Sequence, residues 1–149
     1  MQAMQQALAD ARVSAGAVDY VNAHGTSTLM NDRSECAAMR TVMGGHINQV
    51  TVSSTKSCMG HLISAAGAVE AGVCALAIRD GVAPVNANLA QPDLDCDLNI
   101  VRGESRPMRI RVALSNSFGF GGSNNCLVFR QPDDMDESPP GRRPATPAS

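Results

Sequence analysis

A layered α/β domain is the fold class this sequence predicts, and three observations carry the prediction. Helix-like and strand-like stretches alternate over residues 1–130 in the order α–β–α–β–α–β–β. Of the 149 residues, 44% are hydrophobic but only 3% aromatic, with no Trp, so the core is built from small side chains that let helices lie close on a sheet. Residues 63–79 are almost all small or aliphatic, the composition of a helix enclosed on every side.

The elements follow in order. Residues 1–12 are rich in Ala, Gln, Met and Leu, all strong helix formers, and predict the first helix. A strand is expected over 18–23, led by Val18, Tyr20 and Val21. The next helix covers 32–43, with Asp32 favouring its N-terminus and Gly44-Gly45 stopping it. Residues 50–54 predict a second short strand. In the third helix, over 63–79, Gly67 and Gly72 each cost about 1 kcal/mol relative to Ala. Close approach to another backbone is their expected use. Residues 84–100 carry Asn, Asp and Pro and predict irregular surface chain. Strands over 110–115 and 125–130 are joined across the turn Gly119-Phe120-Gly121-Gly122. Beyond Arg130 the chain turns to Pro, Asp and Arg, with too little apolar surface to offset ordering. One domain over 1–130 and a disordered tail over 131–149 are therefore expected.

Composition excludes several functions. A net charge of −2 does not fit a protein whose affinity comes from neutralising nucleic-acid phosphates. Scarce aromatics leave no stacking platform for single strands. The five cysteines form no CxxC pair, which argues against both a disulfide framework and a metal cluster. No basic stretch followed by an apolar one opens the chain, and the longest apolar run is broken by Glu70. No membrane span and a reducing cytoplasm are the expectation.

Three places can carry chemistry. His24 closes the first predicted strand, in Val21-Asn22-Ala23-His24-Gly25-Thr26-Ser27-Thr28, where α/β sheets commonly present catalytic side chains. The alternative is a buried histidine bonded to a backbone carbonyl. Lys56, the only lysine against eleven arginines, lies close to His61. It is either a position that needs a compact ammonium or a lone solvated lysine. Glu70 interrupts the apolar helix and needs a partner, for which Lys56 is the candidate. The stretch Ser115 to Asn124 contains Gly119, Gly121 and Gly122 around Phe120. It reads as a hairpin turn or as a mobile loop with an aromatic stopper. It is neither a phosphate loop nor a dinucleotide fingerprint, because a strand and not a helix follows. His46 is given no role.

The strings VNAHGTST, STKSCMGHLISAAGAVE and SNSFGFGGSNNCLVF resemble, in order, the C-terminal portion of the β-ketoacyl-acyl carrier protein synthases of type I/II. These are the condensing enzymes of fatty-acid and polyketide synthesis. The resemblance implies the C-terminal half of a thiolase-like fold, a layered α/β structure with a mixed sheet, here lacking that half's first strand. It implies that His24 and His61 are catalytic, with Lys56, and that Glu70 supports them from behind. By the same resemblance, Thr26 and Thr28 would line the path of a phosphopantetheine arm carried by acyl carrier protein. Phe120 would gate the acyl pocket from a loop containing Gly119, Gly121 and Gly122. No bound cofactor and no metal are implied. Implied partners are acyl carrier protein, the N-terminal ketoacyl synthase half in a longer or separate chain, and a second copy when the enzyme is complete.

The chemistry wants these residues. An acyl group waits as a thioester on a cysteine; malonyl-carrier protein loses CO2 and the enolate attacks it. Two imidazole N–H donors stabilise the charge that develops on the malonyl thioester oxygen. The nucleophilic cysteine belongs to the family's other half, and no cysteine here lies in its motif. Cys58-Met59 replaces the commoner Met-Thr, Ser64 stands where the family often has glycine, and so does Asn31. The resemblance leaves a second reading: a non-catalytic partner of the chain-length-factor kind, or a remnant that only binds.

Overall fold

Met4 and Leu8, one helical turn apart, are the buried stripe of α1 (Gln2–Asp10) and anchor it to a sheet. The fold, seen in a computed structural model, is described for residues 1–132; the expected tail lies from 133 onward outside the described residues. After a 3-10 turn over Ala15–Ala17 come β1 (Tyr20–Asn22), α2 (Leu29–Met43) and β2 (Thr51–Ser53). Then follow the one-turn α3 (Lys56–Met59), α4 (Ala66–Asp80), and a short antiparallel pair of β3 (Val82–Ala83) and β4 (Arg106–Pro107). The long hairpin of β5 (Val112–Phe118) and β6 (Asn124–Arg130) completes the fold.

The main sheet runs β2-β1-β5-β6. β1 is parallel to both neighbours, with Val21 opposite Val52 and Leu114, and β6 is antiparallel to β5. Side chains alternate across the strands. Val21, Val52, Val112 and Leu114 face α1 and α2, meeting Met4, Leu8, Met39 and Met43. Tyr20 and Ala113 face the other way, onto Cys74 and Ala77 of α4. This is the expected layered α/β arrangement with a mixed sheet.

Beyond α3, which no predicted element covers, four larger differences from the sequence expectation stand out. α2 begins at Leu29, with extended Thr28 as its cap residue; Asp32 sits in the first turn and is not the cap. Its backbone N–H reaches the Thr28 carbonyl at 2.9 Å, so the helix starts three residues earlier than its charge pattern implies. β5 continues to Phe118, because Ser117 and Phe118 pair with Asn125 and Asn124 across the hairpin. The β3–β4 pair lies outside every predicted element.

The fourth difference is the largest. The apolar stretch opens with a 3-10 turn over Ile63–Ala65 and continues as α4, which buries only one stripe: Ala66, Glu70, Cys74 and Ala77. Val69 and Leu76 stay 39% and 48% exposed, and Ile63 74%. Among the described residues nothing covers that flank, so the helix is not enclosed. Gly67 lies close to a side chain of β5 and not to a backbone: a Cβ there would lie 3.3 Å from Ser117 Oγ. Gly72, also expected to approach a backbone, faces open space.

Candidate active site

His24 leaves the end of β1 and is buried. Its position is fixed by a residue sequence reasoning missed, Glu35 of α2. The two carboxylate oxygens of Glu35 accept the backbone N–H groups of His24 and Gly25, each at 2.9 Å, and Oε1 also accepts Asn116 Nδ2 at 3.0 Å. Burial pushes the Glu35 carboxyl pKa up, against these three donors, which favour the ionised form. Gly25 is required twice over: its φ is +42°, and a Cβ would meet Ser54 Cβ at 2.5 Å. The signal for Glu35 was present in the sequence, since it falls one turn before Met39 on the buried face of its helix.

His61 arrives from a different element. Asn22, at the end of β1, donates to Thr55 Oγ1 at 3.0 Å and accepts the Thr55 N–H at 3.3 Å, which ties that strand to the start of α3. α3 ends at Gly60, whose φ of +79° turns the chain toward His61. The Ile63 backbone N–H donates to His61 Nδ1 at 3.0 Å. With Nδ1 acting as acceptor, a neutral ring carries its proton on Nε2 and offers one N–H outward.

The two imidazoles meet edge to face, with ring centroids 5.5 Å apart and planes at 86°. Burial first, then the charges of Lys56 and His61, lower the His24 pKa to about 4. At neutral pH His24 is an uncharged imidazole. Its Nδ1 is buried without a hydrogen-bond partner.

Lys56 and Glu70 form a buried ion pair between α3 and α4, which excludes the reading of Lys56 as a solvated side chain. The Oε2 oxygen of Glu70 has no partner. Thr26 and Thr28 bond each other through their hydroxyls at 2.9 Å. Together with His61 they border a cleft of about 650 Å³, floored by α2 and walled by the irregular chain after β3. His24 itself does not line that cleft, although its chain neighbours Ala23 and Gly25 and the His61 ring do.

Phe120 is not gathered into this site. It is fully exposed, in a turn where Gly121 and Gly122 adopt φ of +71° and +80°. Gly119 closes the turn by donating to the Ser123 carbonyl at 2.7 Å. The aromatic beside His24 is instead Phe118, two residues earlier, with ring centroids 5.5 Å apart. It was missed because the sequence reads as loop where β5 continues. Among the described residues no group of three His, Cys, Asp or Glu side chains is placed to hold a metal ion. No helix there is long and apolar enough to cross a membrane.

This arrangement can offer two imidazole donors to one oxygen. Known proteins resemble this chain in sequence and in backbone. Nodulation protein E of Rhizobium sp. (strain N33) is 49% identical over 129 residues, covering 87% of this chain and 32% of that protein. The 3-oxoacyl-[acyl-carrier-protein] synthase 2 of Coxiella burnetii is 49% identical over 126 residues, 85% of this chain and 30% of that protein. A solved beta-ketoacyl synthase from Burkholderia phymatum superimposes with a TM-score of 0.82 at 40% identity, over 87% of this chain and 31% of that one. This chain thus spans about a third of the length of the curated relatives it matches. The family described as "Beta-ketoacyl synthase, C-terminal domain" matches residues 1–90. Taken with the three motifs, the mixed sheet and the paired imidazoles, this match makes the chain a member of the beta-ketoacyl synthase family, corresponding to its C-terminal, thiolase-like portion.

Proposed function

We propose that this chain supplies the histidine side of a 3-oxoacyl-[acyl-carrier-protein] synthase active site. The reaction is the decarboxylative condensation of malonyl-acyl carrier protein with an acyl thioester, in fatty-acid or polyketide synthesis. The edge-to-face contact of His24 and His61 carries this reading, because two motifs 37 residues apart have no packing reason to bring their rings together at 5.5 Å.

The malonyl thioester oxygen accepts N–H donors from His24 and from His61 Nε2. As the C–CO2 bond breaks, its electron pair moves into the thioester, and the negative charge builds on the oxygen held by both rings. The enolate carbon then attacks the acyl thioester carbonyl, and the sulfur of the acyl-bearing cysteine leaves as thiolate. That cysteine comes from the part of the fold this chain does not span, in a longer or separate chain. Lys56 and Glu70 fix α3, and Lys56 helps keep His24 neutral. Thr26 and Thr28 receive the phosphopantetheine arm. Phe120, on the loop of Gly119, Gly121 and Gly122, gates an acyl pocket completed by the other part, which explains why it stands exposed here. The uncovered flank of α4 is the face the same part covers. By its resemblance the complete enzyme works in the cytoplasm as a homodimer, with acyl carrier protein as substrate carrier and no bound cofactor.

The test is reconstitution with the nucleophile-bearing part, followed by His24→Ala and His61→Ala. Each is expected to lower malonyl decarboxylation about 10²–10³-fold, the usual loss for one such donor. Near-normal turnover in both variants removes the assignment. Solved neighbours include a ketosynthase/chain length factor pair, which favours a second reading as a non-catalytic partner or binding remnant. That reading predicts an assembled complex in which neither substitution changes turnover.

A further inference from the structure

Residues 84–100 form one wall of the cleft, and α2 forms its floor. Two cysteines meet where the wall joins the floor. Cys36 is 6% exposed on α2, and Cys96 is 7% exposed at the end of the 3-10 turn Leu94–Cys96. Both belong to the same apolar cluster, and both border the cleft. The arginines on either side of Cys36 hold Cys96 in register. Arg40, one turn later, donates through its two terminal nitrogens to the carbonyls of Asp95 and Asp97, each at 2.8 Å. These residues flank Cys96. Arg33, one turn before Cys36, pairs with the Asp95 carboxylate.

We propose that Cys36 and Cys96 are an oxidisable dithiol whose disulfide fastens the cleft wall to α2. With hydrogen peroxide as oxidant the step balances. One thiolate attacks a peroxide oxygen, the O–O bond breaks, and a sulfenic acid and one water result. The second thiol then displaces a second water as the S–S bond forms. The two sulfurs together lose two electrons, which the peroxide gains, and both thiol protons end in water. Burial raises the Cys36 thiol pKa, and the neighbouring Cys96 raises it further, so Cys36 stays protonated at neutral pH and reacts faster as the pH climbs. An open wall can shift as a ligand enters the cleft, whereas a fastened one cannot. This inference does not rest on the proposed condensation chemistry.

Trypsin separates the relevant thiols. Cys36 lies in peptide 34–40, Cys96 in 80–102, Cys58 and Cys74 in 57–79, and Cys126 in 112–130. The folded chain is treated with hydrogen peroxide at mildly alkaline pH, alkylated, and digested without reduction. The expected product is a 34–40/80–102 pair lighter by two hydrogens, absent from Cys36→Ser and Cys96→Ser and replaced by mixed pairings in denaturant. The oxidised chain should also unfold at a higher urea midpoint than the reduced chain, and Cys96→Ser should lose that shift. Alkylated Cys36 and Cys96 after oxidation of Cys58 overturn the proposal, as does any native link joining either thiol to another peptide. A lowered midpoint overturns it too.

Discussion

Glu35 and Glu70 are both buried carboxylates on 15-residue helices, one on each face of the sheet, and each helps to place one histidine. They do so by different means. Glu35 receives three N–H donors and so sets the path of a backbone, at His24 and Gly25. Glu70 receives one ammonium and so sets a charge, at Lys56, on the helix that leads to His61. A hydrogen-bond clamp fixes geometry through short directional contacts. A buried ion pair fixes a charge whose field reaches further: after burial, which is the main cause, the Lys56 ammonium lowers the pKa of His24.

This contrast can be broken on its electrostatic side first. Lys56→Ala leaves Glu70 buried and alone, and should cost about 3–5 kcal/mol in urea unfolding. The double change Lys56→Met with Glu70→Leu should recover most of that loss. If the single change is the milder of the two, the pair is not a coupled unit. On the clamp side, Glu35→Ala strands three donors, and each buried unpaired donor costs about 1–3 kcal/mol. Amide exchange at His24 and Gly25 should accelerate in this variant, while exchange at Tyr20 and Val21 changes less. Uniform acceleration along β1 would make Glu35 a general support.

The smallest effect is a pH dependence. His24 has a folded pKa of about 4, below its ordinary 6.5, so the unfolded chain takes up the proton first as pH falls. Stability is therefore full above about 6.5 and declines as the pH drops toward about 4. His24→Gln should flatten that part of a plot of urea midpoint against pH. A slope that persists in the variant belongs to another group.

Much of the site was legible because its residues are chemically out of place. A histidine at a strand end, a single lysine among arginines and a carboxylate in an apolar run all stand out. Glu35 breaks an apolar face in the same way, but Asp32, Arg33 and Arg40 on the same helix hide it. Phe118 was lost for a backbone reason: Ser and Asn are poor strand formers, and only pairing with β6 holds β5 straight to that point. The enclosure expected for α4 failed because composition reports everything a segment is built to bury. The described residues supply one side of that environment, and Val69 and Leu76 show which side is left over.

The strand order has a consequence for synthesis of the chain on the ribosome. β1 emerges well before one of its two neighbours, β5, which lies more than ninety residues later in sequence. Until that segment leaves the exit tunnel, one edge of β1 has no mate, and the greasy surfaces of α1, α2 and α4 wait on an unfinished layer. Such a nascent chain should be a strong client for chaperones, and it should resist folding in stages.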